Sequence, residues 1–218
     1  MTIHVINPNS LEKVTGAIDR AIDPMRAAVV TPIMTHTLHE GPPGIETQAD
    51  VDLIVGPLLR LAAELEESAS AFVVACYSDP GLAALREQSD RPVFGIAESG
   101  ILTALTMGQR FGVISILGRS IPRHLRMIGA MGLNSRLAGD RALELGVAEL
   151  SDEARTFERM CTIGRKLRDD DGAEVILFGC SGMAGFRRRL ELELGCPVID
   201  PNQAAVAIAI GRVAMSRA

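Results

Sequence analysis

Two stretches of the chain repeat one plan, and this repeat limits the folds that the chain can adopt. Residues 71–85 (AFVVACYSDPGLAAL) have the pattern of a buried strand, a cysteine at its carboxyl end, and a turn into a helix. Residues 174–186 (EVILFGCSGMAGF) follow the same order. In each copy, a further helical pattern and a Pro-Val dipeptide come next. The repeat predicts two copies of one α/β unit that bring Cys76 and Cys180 face to face.

Apolar strands without polar alternation alternate with amphipathic helices along the chain, which is typical of parallel βαβ units with right-handed crossovers. We expect an α/β fold of two pseudosymmetric three-layer lobes, each with a mostly parallel four-stranded sheet. Ligands of such sheets bind beyond the carboxyl ends of the strands, so we expect the active site in the cleft between the lobes. The apolar last helix, 202–215, must be buried. We therefore expect residues 1–97 and 200–218 to form the first lobe, and residues 98–199 the second.

Composition excludes several classes of function. The 218 residues are 47% hydrophobic, 22% charged and 3% aromatic, with a net charge of −5 and no basic tract. This balance favours neither nucleic acid nor an anionic membrane surface as a partner. Apolar runs are too short to span a bilayer, and residues 1–4 show no signal peptide. Four cysteines without a secretory signal predict a reducing, cytoplasmic location.

Turn and cap signals divide the chain into elements. The apolar run 27–34 predicts the second strand, and the residues after it, 35–47, predict a long loop. Thr47 with Asp50 resembles a capping box at the start of a long helix. Asp79-Pro80 has the pattern of a cap for the helix that follows Cys76.

The paired cysteines suggest proton transfer at carbon. A thiol at a helix N-terminus has a lowered pKa, so we expect one thiolate to remove a proton and the opposite thiol to return one to the other face. The Ser78 and Ser181 hydroxyls are candidate donors to the carbanion. In the alternative, both cysteines are small buried hydrophobic residues, which is the interpretation we give to Cys161 and Cys196.

No cofactor or metal is expected. His36 and His39 form H-x-x-H in the predicted loop, but two histidines without a third ligand are interpreted as loop residues. The chain has no G-x-G-x-x-G fingerprint, Walker sequence or G-x-S-x-G elbow.

Six stretches resemble the aspartate/glutamate/hydantoin racemase superfamily, above all its hydantoin racemase branch, which includes allantoin racemases. They are INPNS (6–10), GPPGIE (41–46), ACYSDPGLAALRE (75–87), PVFGIAESG (92–100), FGVISILGRSIP (111–122) and FGCSGM (178–183). The resemblance runs nearly end to end. It implies a cofactor-independent isomerase that inverts the C5 stereocentre of a 5-substituted hydantoin or allantoin, with a small-molecule substrate and a homo-oligomeric state.

The resemblance also implies the site residues. Cys76 and Cys180 would be the two acid/base residues, and the implied substrate contacts are Asn9, Ile45, Tyr77, Ser78, Leu117, Ser181 and Gly182. Arylmalonate decarboxylases lack the cysteine that this chain has at position 76. Aspartate and glutamate racemases usually carry an acidic residue at the place of Asn9, so the amide suits a neutral ring better.

Other functions remain open from the sequence. The chain has the two cysteines that maleate isomerases also keep, and racemisation of a free amino acid of the aspartate or glutamate type is a further possibility. A non-catalytic two-lobed module that binds a small ligand is the alternative outside the enzymes. Solvent deuterium that enters a recovered hydantoin would separate an enzyme from such a module.

Overall fold

Two parallel four-stranded sheets form the frame of the protein. The structure is a computed structural model that describes residues 1–215. In the first sheet the strand order is β2-β1-β3-β4, and in the second it is β6-β5-β7-β8. The strands are β1 (Thr2–Asn7), β2 (Ile33–Thr37), β3 (Ala69–Val74), β4 (Val93–Gly95), β5 (Phe111–Ser115), β6 (Leu137–Ala142), β7 (Val175–Phe178) and β8 (Val198–Ile199). The predicted pair of parallel sheets is confirmed.

Helices cover both faces of each sheet. They are α1 (Glu12–Arg26), α2 (Gln48–Leu53), α3 (Val55–Leu65), α4 (Leu82–Gln88), α5 (Ile96–Leu105), α6 (Ile121–Ala130), α7 (Glu153–Asp169), α8 (Arg187–Leu194) and α9 (Pro201–Met215). On the first sheet, α1 and α9 lie on one face, and α3 and α4 lie on the other. On the second sheet, α5 and α6 lie opposite α7 and α8. Each sheet with its helices is called a lobe below.

The strand sequences explain why both faces are covered. Along β3, Ala71 and Val73 point into one apolar cluster, while Phe72 and Val74 point into another, and all four are fully buried. A strand with apolar side chains on both faces is stable only between two layers of helices. The cluster that contains Val73 continues into Phe178 of β7, so the lobes share one core.

Helices α5 and α9 connect the two lobes. Helix α5 follows the first sheet but packs on β5, β7 and β8, whereas α9 follows the second sheet and packs on β1, β3 and β4. The two helices also pack on each other. We propose on the basis of these contacts that residues 1–97 and 200–218 make up the first lobe and residues 98–199 the second. The last three of these residues, 216–218, lie outside the described part of the chain.

Three predicted elements differ from the structure. The second strand, predicted at 27–34, begins at Ile33 because α1 continues to Arg26 and Val30 is 91% exposed. His36 consequently lies in β2 rather than in a loop. The predicted long helix after Thr47 is divided at Ile54 into α2 and α3, while its capping box with Asp50 is confirmed.

The predicted cap at Asp79 is also wrong. Helix α4 begins at Leu82, after Gly81 in the left-handed conformation, and Asp79 does not cap it. The Asp79 carboxylate instead accepts hydrogen bonds from the backbone N–H groups of Ala97 (3.0 Å) and Glu98 (2.9 Å) at the start of α5. The residue therefore joins the turn after Cys76 to the helix that enters the second lobe.

Among the helices of residues 1–215, none is long and apolar enough to cross a membrane.

Candidate active site

One cavity between the lobes contains both repeat cysteines. Cys76 follows β3 and Cys180 follows β7, so each lies beyond the carboxyl end of the equivalent strand. The other cavity-lining residues are Asn9, Ile45, Tyr77 and Ser78 from the first lobe and Ile116, Ser120, Arg123, His124, Val147, Gly179 and Ser181 from the second. The two βα units thus place both thiols in the lining of one cavity.

Two of the residues implied by the resemblance lie outside this lining. Leu117 packs against the shared core, and its neighbour Ile116 lines the cavity instead. Gly182 lines an adjacent cavity, but its backbone N–H donates a hydrogen bond to Cys180. The remaining implied residues, Asn9, Ile45, Tyr77, Ser78 and Ser181, line the cavity together with the cysteines.

The chain turns differently after the two cysteines. The backbone N–H of Asp79 donates to the carbonyl of Cys76 at 2.9 Å, and Asp79 has a positive φ of 42°. Cys180 is extended and immediately precedes a 3-10 helix, Ser181–Phe186. Cys76 therefore lies in a tight turn, several residues before α4, and only Cys180 lies directly at a helical N-terminus.

Both thiols are less acidic than expected from the sequence. Desolvation in the cleft raises the pKa of Cys76 to about 11 and that of Cys180 to about 12. The backbone N–H of Ser78 lowers the pKa of Cys76, and that of Gly182 lowers the pKa of Cys180, but both effects are smaller than desolvation. The expectation of lowered thiol pKa values is wrong, because burial disfavours the charged thiolate.

Asn9 is oriented as a donor. Its side-chain oxygen accepts hydrogen bonds from Asn7 Nδ2 and from the backbone N–H of Leu11, both at 3.0 Å. With the oxygen occupied on the protein side, the side-chain NH₂ group is the part of Asn9 that is available to a ligand. An amide donor at this position suits a carbonyl oxygen rather than an ammonium group.

Two residues of the cavity lining carry buried hydroxyls without a partner. Tyr77 and Ser120 are 2% and 1% exposed, and among residues 1–215 nothing hydrogen-bonds to Tyr77 Oη or Ser120 Oγ. A buried hydroxyl without a hydrogen bond costs stability, so such groups in a cavity are suited to a ligand that supplies the missing partner.

A polar network lies behind the second-lobe wall. His124 Nδ1 is 2.8 Å from Asp140 Oδ2 and 3.1 Å from Ser115 Oγ, and the Ser115 hydroxyl also donates to Asp140. The His124 ring contacts Tyr77 edge-on, with ring centroids 4.9 Å apart. The carboxylate holds the ring against Tyr77 and places a proton on Nδ1, which leaves Nε2 as an acceptor when the ring is neutral.

Sequence reasoning missed Ser120, Arg123 and His124. All three lie in or just after the loop that follows β5, the equivalent of the loop that carries Asn9 after β1. The repeat could have predicted that this loop contributes to the site, because the loops after β1 and β5 each follow the first strand of their sheet in the chain.

Two parallel sheets that share one cavity, with a cysteine at the end of the equivalent strand of each, define an isomerase of the racemase class. The chain belongs to the Asp/Glu/Hydantoin racemase family, whose model matches residues 3–209. The hydantoin racemase of Paenarthrobacter aurescens is 38% identical over 219 residues, which cover 99% of this chain and 92% of that protein.

Solved structures are similar over the whole chain. The allantoin racemase of Klebsiella pneumoniae has a TM-score of 0.91 and 32% identity, with 99% of this chain and 89% of that one covered. The allantoin racemase of Pseudomonas fluorescens has a TM-score of 0.94 and 29% identity, with 99% and 92% covered.

Proposed function

We propose that this protein racemises a 5-substituted hydantoin or allantoin at C5, with Cys76 and Cys180 as the two acid/base residues and without a cofactor. The observation that carries the proposal is the presence of both cysteines on one cavity at equivalent points of the repeat. The similarity to hydantoin and allantoin racemases supports the substrate class.

The chemistry follows from two thiols on one substrate. The thiolate of one cysteine removes the C5 proton, and the electron pair spreads into the neighbouring ring carbonyl. The thiol of the other cysteine then donates its proton to the opposite face of C5, so the stereocentre is inverted and the two cysteines exchange protonation states. Because one cysteine, as thiolate, is the base and the other, as thiol, is the acid, no further group is needed for the proton transfers.

Polar groups of the lining match the ring. The Asn9 NH₂ group and the Tyr77 and Ser120 hydroxyls provide donors for ring carbonyl oxygens, including the one that gains negative charge. Ile45, Ile116 and Val147 supply an apolar wall beside them. Such a site suits a flat, neutral heterocycle with several carbonyl and N–H groups.

The experiment is a racemisation screen on enantiopure substrates. Allantoin, aliphatic and aromatic 5-substituted hydantoins, aspartate and glutamate are incubated in deuterium oxide, and optical rotation and deuterium at the reacting carbon are measured. Maleate, which is achiral, is tested in parallel for conversion to fumarate. We expect loss of rotation with deuterium uptake for at least one hydantoin or allantoin, unchanged after dialysis against a chelator. Activity on an amino acid or on maleate alone, or no proton exchange on any compound, would contradict the proposal.

A further inference from the structure

The two cysteines have equivalent backbone surroundings but different side-chain surroundings. Each thiol accepts a hydrogen bond from the backbone N–H two residues further on, at Ser78 in the first lobe and Gly182 in the second. Ser78 adds a hydroxyl that lowers the pKa of the Cys76 thiol, whereas Gly182 has no side chain. The repeat is therefore asymmetric at the atoms closest to the two sulfurs.

Arg123 completes the asymmetry. It lies in α6 of the second lobe, lines the cavity, and its Nε donates to Ser78 Oγ across the cleft at 2.9 Å. Because this oxygen accepts from the guanidinium, the Ser78 hydroxyl proton remains free to donate to Cys76. Within the described chain, no carboxylate forms an ion pair with Arg123, so its charge is not neutralised by a direct partner.

A cation acts on Cys76 beside an anion, whereas only anions act on Cys180. At Cys76, the Asp79 carboxylate raises the pKa of the thiol and the Arg123 charge lowers it. At Cys180, the charges of Cys76 and of Glu46 both raise the pKa, and no cation counteracts them. Asp50, Arg119 and Arg126 surround Arg123. His124 and Tyr77 are the other titratable groups on the cavity wall.

We propose that Arg123, acting through the Ser78 hydroxyl, makes Cys76 the more readily ionised of the two cysteines and therefore the first base, and leaves Cys180 as the thiol acid. Arg123 is thus a positioning residue, and the proposal rests on the two-cysteine function proposed above. An enantiomer whose C5 proton faces Cys76 reacts directly with the form in which Cys76 is the thiolate. After turnover the thiolate is on Cys180, and a proton must move from Cys76 to Cys180, through solvent, before the first form returns.

The test measures thiol reactivity without substrate. The ligand-free protein is alkylated with iodoacetamide between about pH 6 and 10, and the rates at Cys76 and Cys180 are followed by peptide mass spectrometry. We expect faster alkylation of Cys76 than of Cys180 in the wild type. Arg123→Gln and Ser78→Ala are each expected to shift the Cys76 profile upward by about one pH unit, which is about tenfold slower alkylation at a fixed pH.

Further variants distinguish the effect of the Arg123 charge from structural effects of its substitution. In the double variant the loss should not exceed that of either single variant, because both substitutions interrupt one relay. Arg123→Lys keeps the cation and is expected to stay within about threefold of the wild type. Arg126→Gln is the matched control, since it removes an arginine of the same helix that also reaches the first lobe, at Gln48 Oε1 (3.0 Å). Its Cys76 profile should be unchanged.

Three outcomes overturn the proposal. They are a Cys76 profile that does not change in Arg123→Gln, an equal shift at Cys180, or an equal loss in Arg123→Lys and Arg123→Gln. The alkylation result does not depend on the substrate. If wild-type protein racemises no hydantoin but the Cys76 profile depends on Arg123, the proposed function fails and the electrostatic assignment stands. If the wild-type protein racemises a hydantoin but the Cys76 profile does not depend on Arg123, the proposed function stands and the electrostatic assignment fails.

Discussion

At the scale of single residues, the site combines two thiols that are costly to ionise with polar groups that lack partners. Burial raises the pKa of both cysteines, and the cavity also keeps the Tyr77 and Ser120 hydroxyls unpaired. Buried hydroxyls without partners cost stability, so these groups are suited to a ligand that supplies acceptors.

The cysteines give the most direct prediction. Cys76→Ser and Cys180→Ser are each expected to lower racemisation by at least about 10²–10⁴-fold in both directions, because inversion needs an acid and a base on opposite faces. Each variant should still exchange the C5 proton of one enantiomer for deuterium, and the two variants should prefer opposite enantiomers. Chiral chromatography and proton NMR measure the two quantities.

Cys196→Ser serves as the control for these variants, because Cys196 lies outside the cavity and should tolerate the change. Near wild-type racemisation by either active-site variant, or exchange of the same enantiomer by both, would count against the two-base scheme.

The buried His4, which contacts His36, predicts a pH dependence of stability. His4, 2% exposed, hydrogen-bonds to His36 (2.9 Å) and Ser68 (3.0 Å), and burial with the charge of His36 lowers its pKa to about 4. Unfolded His4 binds a proton below about pH 6.5, whereas folded His4 does so only below about 4, so stability falls as the pH decreases through this window. Between pH 7.5 and 5 the loss from His4 should be about 2 kcal/mol.

Urea unfolding of His4→Gln at the two pH values checks this expectation. The variant should lose about 2 kcal/mol less than the wild type on acidification, while His39→Gln, a change at an exposed histidine, should behave like the wild type. An identical loss in His4→Gln and the wild type would show that other groups carry the acid sensitivity.

At the scale of elements, the turn that carries Cys76 is fixed by a contact with a distant helix. Asp79 accepts hydrogen bonds from the first N–H groups of α5, and its carboxyl group occupies the space beside Gly95 at the end of β4. A Cβ atom at position 95 would lie 2.2 Å from the Asp79 carboxyl carbon. Only glycine leaves room for this arrangement, so β4, α5 and the Cys76 turn hold one another in place.

Gly95→Ala should therefore displace Asp79 and the turn. We expect a loss of about 1–3 kcal/mol in the free energy of unfolding, as for other overpacked sites, and a loss of about 10–100-fold in kcat/KM from the misplaced thiol. Denaturant unfolding and racemisation kinetics provide the two values. The matched control is Gly211→Ala on an exposed turn of α9, where a Cβ meets nothing within 4 Å and helix propensity favours alanine. If Gly95→Ala and Gly211→Ala changed the free energy of unfolding and kcat/KM equally, Gly95 would not have this role.

Whether an element or a site residue could be predicted from the sequence depends on how far apart in the chain its interacting residues lie. The repeat predicted two parallel sheets, and the local capping box at Thr47 was correct, since neighbouring residues determine both. Asp79 looked like a local cap, but its partners are 18 and 19 residues away. Arg123 was missed for the same reason, because its partner Ser78 lies in the other lobe. Cys76 and Cys180 could be found because each ends a buried strand in the same pattern.

At the scale of the whole molecule, polar contacts close the two lobes over the cavity. Glu46 extends from the first-lobe loop to the second lobe, where it pairs with Arg119 and accepts from the backbone N–H of Val147 at 3.0 Å. Both Val147 and Ile45, next to Glu46, line the cavity. This carboxylate therefore joins the lobes beside the cavity, and we expect an open form, in which the contact is broken, to exist in equilibrium with the form described.

Loss of this contact should favour the open form. Glu46→Ala removes one exposed ion pair and one hydrogen bond, together worth about 1–2 kcal/mol, which corresponds to about a 5–30-fold larger open population. Alkylation of Cys180 by the bulky reagent N-ethylmaleimide should accelerate by a similar factor.

The control for Glu46→Ala is Glu40→Ala, which breaks an exposed pair with Arg60 (2.6 Å) inside one lobe. Equal alkylation rates for the wild type and Glu46→Ala would mean that this contact does not limit opening.

The exchange of α5 and α9 between the lobes has a consequence for the order in which the protein is made. Ribosomes release the amino-terminal half first, and its four strands are all present once β4 has emerged. Helix α9, which covers one face of that sheet together with α1, is encoded after every other strand and helix described in the chain. In contrast, α5 precedes the strands of the second sheet in the chain, so it has already been synthesised when they appear. The half that is synthesised first is therefore the half that is finished last, and the part of its sheet that α9 covers stays exposed until the last helix has been made.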